Sequence, residues 1–377
     1  MKKILFRKLL IDYLTFAFLA LISTGLVIWV FQAVNYLDIM IEDGRDYLVY
    51  LKFSLLNFPK ILSKILPFVL FFSIFYVTTK YELNNELIIF WNFGIHKMQI
   101  VNFIFITSIF LMLIQIFLAS IIVPSSQDLA RSFLRSSTVN FYENFIKPQK
   151  FNDTIRGVTI YSDGKDERGK LKNLYIKREL ENNEYQITYA KSGEFKEISN
   201  TTVLVLYNGA TMSGKDKDHS NISFSKSDFV LSNLETNTTT YKKTQEISSH
   251  KLFKCIFTFY KSNKFTQDVE NCSPENLHNI LKEFYKRFVI PFYIILLSLI
   301  PFVIIIFSKE NPYYHKIRLF TFLIGFGVII FSETTIKFIS NSMIKNVGLS
   351  LIPVALVMSI YVFFFFKFKA NYKNSKI

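Results

Sequence analysis

A chain of 377 residues, half of them hydrophobic and 42 of them Phe, holds more apolar side chain than a soluble fold of this length needs. The formal charge of +15 does not imply a nucleic-acid partner. Ser125–Glu283 carries 23 Lys/Arg against 20 Asp/Glu, so the excess flanks apolar runs elsewhere and no folded basic face is implied.

Six apolar runs are long enough to cross a hydrocarbon core: Leu9–Val34, Ile61–Thr79, Gln99–Val123, Phe288–Ser308, Leu319–Ile339 and Leu349–Phe366. The fold class expected is a polytopic α-helical membrane protein with an inserted all-β domain. The first run is much longer than a signal-peptide core and no small-residue cleavage site follows it, so it is read as a retained anchor. Lys2, Lys3, Arg7 and Lys8 precede it. Lys309, Lys316 and Arg318 follow the fourth span, and Lys367, Lys369, Lys373 and Lys376 lie in the tail. Asn35–Tyr50 has only Arg45, beside Asp38, Glu42, Asp43 and Asp46. The positive-inside bias therefore places both termini on the cytoplasmic side and Ser125–Glu283 on the far side of the membrane.

Around the second span, Lys52, Lys60 and Lys64 fall on one helical face. Lys337 sits at a similar depth at the end of the fifth span, with Glu333 one turn before it. Charges at this level usually face a bundle interior or a watery cavity, and otherwise snorkel to headgroups. Together the four lysines suit a phosphorylated amphiphile.

Between spans two and three lies "NNELIIFWNFGIHK" (Asn84–Lys97), too apolar for a solvated loop and too short to cross a bilayer. At helical spacing from Leu83, the residues Leu87, Phe90 and Gly94 share one face with Trp91 beside them, while Ile89 and Phe93 point elsewhere. Glu86 falls between Phe90 and Phe93, where a covered carboxylate needs a cationic partner. The segment is expected to be covered partly by its own spans and partly by another protein.

After the third span the character changes. "GVTIYS", "NLYIKREL", "YQITYA" and "TTVLVLYNG" read as strands of a sandwich or barrel-like domain, with turns expected at Ser162-Asp163-Gly164, Ser192-Gly193 and Asn208-Gly209. "GATMSGKD" (Gly209–Asp216) nearly matches a phosphate loop, but Asp216 replaces the hydroxyl residue that would bind Mg²⁺. The five His show no metal-ligand spacing and no catalytic motif is present, so no metal, cofactor or enzymatic role is expected of this chain. Cys255 and Cys272 could pair in an oxidising compartment, worth roughly 3 kcal/mol in the chain-entropy model, or remain free thiols. "SPENLHNILKEFYKRF" reads as a helix into span four, with Ser273 as N-cap and Pro274 at its first position. The expected division is 1–124 (three spans, with a short apolar helix near 82–96), 125–285 (β domain) and 286–377 (three spans).

These stretches resemble the lipopolysaccharide-transport permease family LptF/LptG. Glu86 and Gly94 match the family's "SE…G" separation, "EFYKRFVIP" resembles the start of its fourth span, and "TTIKFISNSMIKNVGLSLIP" resembles its basic, Pro-containing ending. "QAVNYLDIMIEDG" is closer to LptF than to LptG. The resemblance implies a six-span half-transporter with a periplasmic β-jellyroll, a homologous permease partner and a cytoplasmic ATPase dimer that binds the ATP and Mg²⁺. It also implies extraction of lipopolysaccharide from the inner membrane to a periplasmic bridge of β-jellyroll proteins. Glu86, Leu87, Phe90, Trp91 and Gly94 would then form the coupling helix, and Lys52, Lys60, Lys64 and Lys337 the lipopolysaccharide contacts. The family's basic residue near the far end of span one has no counterpart in "WVFQAVNYLD". Two rival readings are an ABC-type permease for another lipid or a lipoprotein, and a membrane-anchored sensor or scaffold. The second leaves the Glu86 segment without a groove to fill.

Overall fold

The computed structural model describes residues 2–41, 47–136, 146, 148–155, 158–166, 169–179, 185–198, 201–215, 218–230, 242–262, 271–307 and 309–374. Glu42, Asp43, Arg45, Asp46, Asp216 and Lys376, used in the charge and motif arguments, lie outside them. Among the described residues, six helical stretches have the length and composition of membrane spans: Lys2–Tyr36, Tyr47–Leu83, Lys97–Phe133, Leu277–Ile306, Tyr314–Phe338 and Met343–Phe368. The protein is a multi-pass membrane protein with an inserted antiparallel sheet.

The chain divides into two compact units. The first comprises residues 1–30, 57–128 and 241–377 and contains most of the apolar helices. These are α1 (Lys2–Ile41, up to Val30), α3 (Phe58–Leu83), α4 (Glu86–Asn92) and α5 (Lys97–Phe117), then α7 (Ser249–Ser262), α8 (Leu277–Phe288), α9 (Tyr293–Leu299), α10 (Tyr314–Thr335) and α11 (Met343–Asn374). The fourth span is the central one, and every residue of α9 is buried. Pro291 and Pro301 lack the N–H that a continuous helix needs, so 3-10 turns at Ile290–Phe292 and Ile300–Ile306 flank α9. Leu9 and Tyr13 of α1, Leu70 and Ile74 of α3, and Ile100 and Ile104 of α5 pack in the same apolar cluster as α9. At Gly325 of α10 any side chain would collide with the Phe71 ring, so the glycine permits the close α3–α10 contact.

The second unit comprises residues 31–56 and 129–240. It holds α2 (Tyr47–Leu56), most of α6 (Val123–Ser136) and the strands β1 (Asn152–Ile155), β2 (Val158–Lys165), β3 (Leu171–Glu179), β4 (Tyr185–Ile198), β5 (Thr201–Lys215) and β6 (Asp218–Val230). Each described strand pairs antiparallel with its sequence neighbour, giving an up-and-down meander in the order β1 to β6. Period-2 alternation turns Ile160, Leu174, Ile176, Ala190, Leu204 and Leu206 to one buried face.

All three expected turns lie within strands. Gly193 pairs with Leu206 on one side and Leu171 on the other, and a Cβ there would come within 2.5 Å of Leu174 Cδ1. Gly209 lies between Ala190 and Phe224, where a side chain would strike the Tyr189 carbonyl oxygen and the Phe224 ring. Both glycines serve close packing across the sheet, not chain reversal. Gly209–Lys215 is therefore ladder, with no phosphate-loop geometry. Ser162-Asp163-Gly164 likewise belongs to β2. The helix into span four starts at Leu277, with Asn276 rather than Ser273 at the N-cap position and no side-chain capping bond; Pro274 lies in the turn before it, where the Ser273 carbonyl accepts from the Asn276 N–H.

Candidate functional site

The segment after α3 is built by two left-handed residues. Asn85 has φ 60°, a conformation that Asn tolerates better than other L residues, and it stops α3 from running on. α4 then starts at Glu86 and ends in a Schellman motif. Gly94 (φ 66°) donates to the Trp91 carbonyl at 2.9 Å and Ile95 to the Phe90 carbonyl at 3.0 Å. Ile95 and Phe90, each almost fully buried, supply the apolar contact that accompanies this cap. The eight-residue step from Glu86 to Gly94 is thus the length of one short helix plus its cap.

This geometry gives the apolar stripe its direction. Leu87 and Phe90 are each 3% exposed and point into their own bundle, Phe90 lying 6.3 Å from the Phe6 ring and 6.2 Å from the Tyr81 ring. Trp91 is half-buried, with Lys97 Nζ 5.7 Å above its ring. The side chains left outward are Leu83, Ile88, Ile89 and Phe93, each between 41% and 49% exposed. The helix-wheel argument found the stripe but ran its angles through the break at Asn84-Asn85. Glu86 meets a cation of its own chain, Lys8 Nζ at 3.7 Å, and accepts a hydrogen bond from Asn84 Nδ2 at 3.3 Å. Lys2 Nζ donates to the Gly94 carbonyl at 3.0 Å, so the start of α1 braces both ends of α4.

The lysines separate into two groups. Lys52 belongs to the second unit, where its ammonium stands 5.0 Å from the Phe133 ring centre. Lys60, Lys64 and Lys337 belong to the membrane unit. Phe71 and Phe75 meet Phe322 where α3 and α10 run in opposite directions. Counting helical rise from the Phe71–Gly325 contact, Lys60 lies about 16 Å and Lys337 about 18 Å toward the same end of the bundle. Lys64 and Lys337 are exposed, whereas Lys60 is half-buried and donates to Gln245 Oε1 at 3.0 Å. Cys255 of α7 is joined to Cys272 by a disulfide, with Cα atoms 6.1 Å apart.

Residues 7–368 match the lipopolysaccharide export system permeases LptF/LptG. The chain belongs to this family. It is also 21% identical over 207 residues to an uncharacterised protein of Rickettsia prowazekii (strain Madrid E). That match covers 55% of this chain and 57% of the Rickettsia protein, so it spans little more than half of either.

In the permease, the stretch "EFYKRFVIP" acquires a physical reason that residue-by-residue reading missed. Arg287 is 2% exposed and spends its guanidinium on four partners. Nε donates to Glu283 Oε1 at 3.1 Å, one helical turn back. The terminal nitrogens donate to the carbonyls of Ile247 (2.8 Å) and Gln245 (2.9 Å) and to Ser249 Oγ (3.0 Å). Ser249 in turn donates to the Ser120 carbonyl at 2.7 Å. Arg287 thereby locks the chain entering α7 onto the bundle, and the same Gln245 holds Lys60. The i,i+4 spacing of Glu283 and Arg287 was the one signal available in sequence.

Proposed function

We propose that this permease is one half of a lipopolysaccharide transporter. It pairs with a homologous permease, recruits a cytoplasmic ATPase dimer, extracts lipopolysaccharide from the inner membrane and passes it to periplasmic bridge proteins. Both termini and α4 lie in the cytoplasm and the sheet lies in the periplasm. The family match over residues 7–368 carries the cargo assignment. The exposed apolar set Leu83, Ile88, Ile89 and Phe93 supports docking of α4 in a groove of the ATPase. Glu86, at the edge of that face, exchanges Lys8 for a cation of the partner, while Leu87, Phe90, Trp91 and Gly94 hold the helix in shape. ATP and Mg²⁺ belong to the partner. Lys60, Lys64 and Lys337 meet the phosphates of the lipid.

Purification from native membranes tests the whole reading. Lipopolysaccharide and an ATPase should copurify. A different lipid would indicate another cargo, and absence of any ATPase would indicate a sensor or scaffold. For orientation, a membrane-impermeant thiol reagent applied to spheroplasts should label Ser213→Cys and spare Asn92→Cys; the opposite pattern would reverse the topology. For the cargo contacts, joint replacement of Lys60, Lys64 and Lys337 by Gln should reduce photocrosslinking of lipopolysaccharide several-fold with the ATPase still bound. Undiminished crosslinking would leave these lysines as headgroup anchors.

A further inference from the structure

The helix α7 has three distinct faces. Leu252, Cys255, Ile256 and Phe259 pack inward, against α8 and the α10–α11 turn. Phe253 and Phe257 form a second face, 57% and 56% exposed, their rings 6.2 Å apart and nearly parallel at 15°. Lys251, Lys254 and Lys261 form a third, all exposed, with Lys261 Nζ 5.7 Å from the Phe257 ring centre. The helix contains no Asp or Glu.

Its anchor points fix how it lies. At one end Ser249 is held to the Ser120 carbonyl, beyond the end of α5, and to Arg287 of α8. At the other, Tyr260 OH donates to the Asn341 carbonyl in the turn between α10 and α11. Ser249 and Tyr260 are about 16 Å apart along the helix axis. A helix joining the same-side ends of separate spans runs across the end of the bundle, in the plane of the membrane surface. The disulfide from Cys255 to Cys272 and the buried Leu252 and Cys255 fix its rotation, so the aromatic pair is held outward.

From this arrangement we infer that α7 is a membrane-surface helix that seats on a leaflet of anionic, phosphate-bearing lipid. Phe253 and Phe257 enter the boundary between headgroups and acyl chains, and Lys251, Lys254 and Lys261 meet the phosphates. Amphipathic helices that lie in the interface combine these features: an apolar face at the acyl boundary and a lysine-rich polar face in the headgroups. Charge decides the occupant. Three exposed lysines on a helix that has no Asp or Glu of its own, beside an aromatic pair, complement an anionic lipid surface, and aromatic rings are favoured at this level. The contact holds the bundle end in the leaflet whatever cargo the permease moves.

The test is photocrosslinking of the full-length protein in nanodiscs of equal parts phosphatidylcholine and phosphatidylglycerol. p-Benzoylphenylalanine replaces Phe253 or Phe257 in turn, with Ile222 on β6, exposed on the sheet, as the reference position. Both α7 positions should give phospholipid adducts several-fold above Ile222. The yield should fall several-fold in pure phosphatidylcholine, and also when Lys251, Lys254 and Lys261 are all Gln. Protein-only adducts, or yields no higher than at Ile222, would show that another polypeptide or water covers the aromatic pair and would overturn the inference. Equal yields in both lipids, unaffected by the Gln substitutions, would overturn it as well. All substituted side chains are exposed, so the fold tolerates them.

Discussion

Arg287→Met should destabilise the membrane unit by about 3–5 kcal/mol, the usual cost of removing one member of a buried, hydrogen-bonded charge pair. Met keeps the apolar stem but leaves the carbonyls of Gln245 and Ile247, Ser249 Oγ and the Glu283 carboxylate without their common donor. The loss should be localised. Trypsin should cut after Lys242 or Lys243 in the variant under conditions that spare the unaltered protein, and the thermal unfolding temperature in detergent should fall. Arg287→Lys should be only a partial rescue, since one ammonium cannot serve acceptors that the planar guanidinium reaches together. Glu283→Gln should be milder still, about 1 kcal/mol, because the amide oxygen still accepts from Nε. An unchanged unfolding temperature in Arg287→Met would mean that the entry to α7 is held by its disulfide and apolar contacts alone.

What the sequence made legible follows from the range of each interaction. The six spans were readable because a bilayer demands long apolar runs, a local property. β2 to β5 were readable from their β-branched and aromatic content. β6 was not, because in "DHSNISFSKSDFV" only Ile222 and Phe224 alternate with Asn and Ser, too short a pattern to stand out from a loop. Gly193 and Gly209 misled because a glycine that admits a neighbour's side chain looks, in one dimension, the same as one that turns the chain. At α4 the E…G spacing was visible, but the direction of the stripe was not. That direction depends on the left-handed Asn85 and on Phe6, whose ring reaches Phe90 from a distant part of the chain. Lys60 shows the same limit, since its partner Gln245 is 185 residues away.

The outward face of α4 should separate docking from folding. Ile89→Asp together with Phe93→Asp places two carboxylates where nearly half of each side chain is already exposed, so the isolated permease should unfold at an almost unchanged temperature. Copurification of the ATPase and transport should be lost, because charges buried in an apolar groove without partners cost several kcal/mol. Phe90→Ala should show the opposite pattern. It opens a cavity between Phe6 and Tyr81 and should cost about 3 kcal/mol or more of stability before any docking is considered. Glu86→Ala lies between the two. Its ion pair with Lys8 is long and largely exposed on the Lys8 side, so its loss should cost the free permease no more than about 1 kcal/mol. If Glu86 changes partners on docking, ATPase binding should weaken far more than stability does, and Lys8→Gln should leave that binding intact. Should the double Asp variant still bind the ATPase, α4 is not the docking helix. Should Glu86→Ala bind normally while the double variant fails, the groove reads the apolar side chains alone and the carboxylate serves only to hold Lys8.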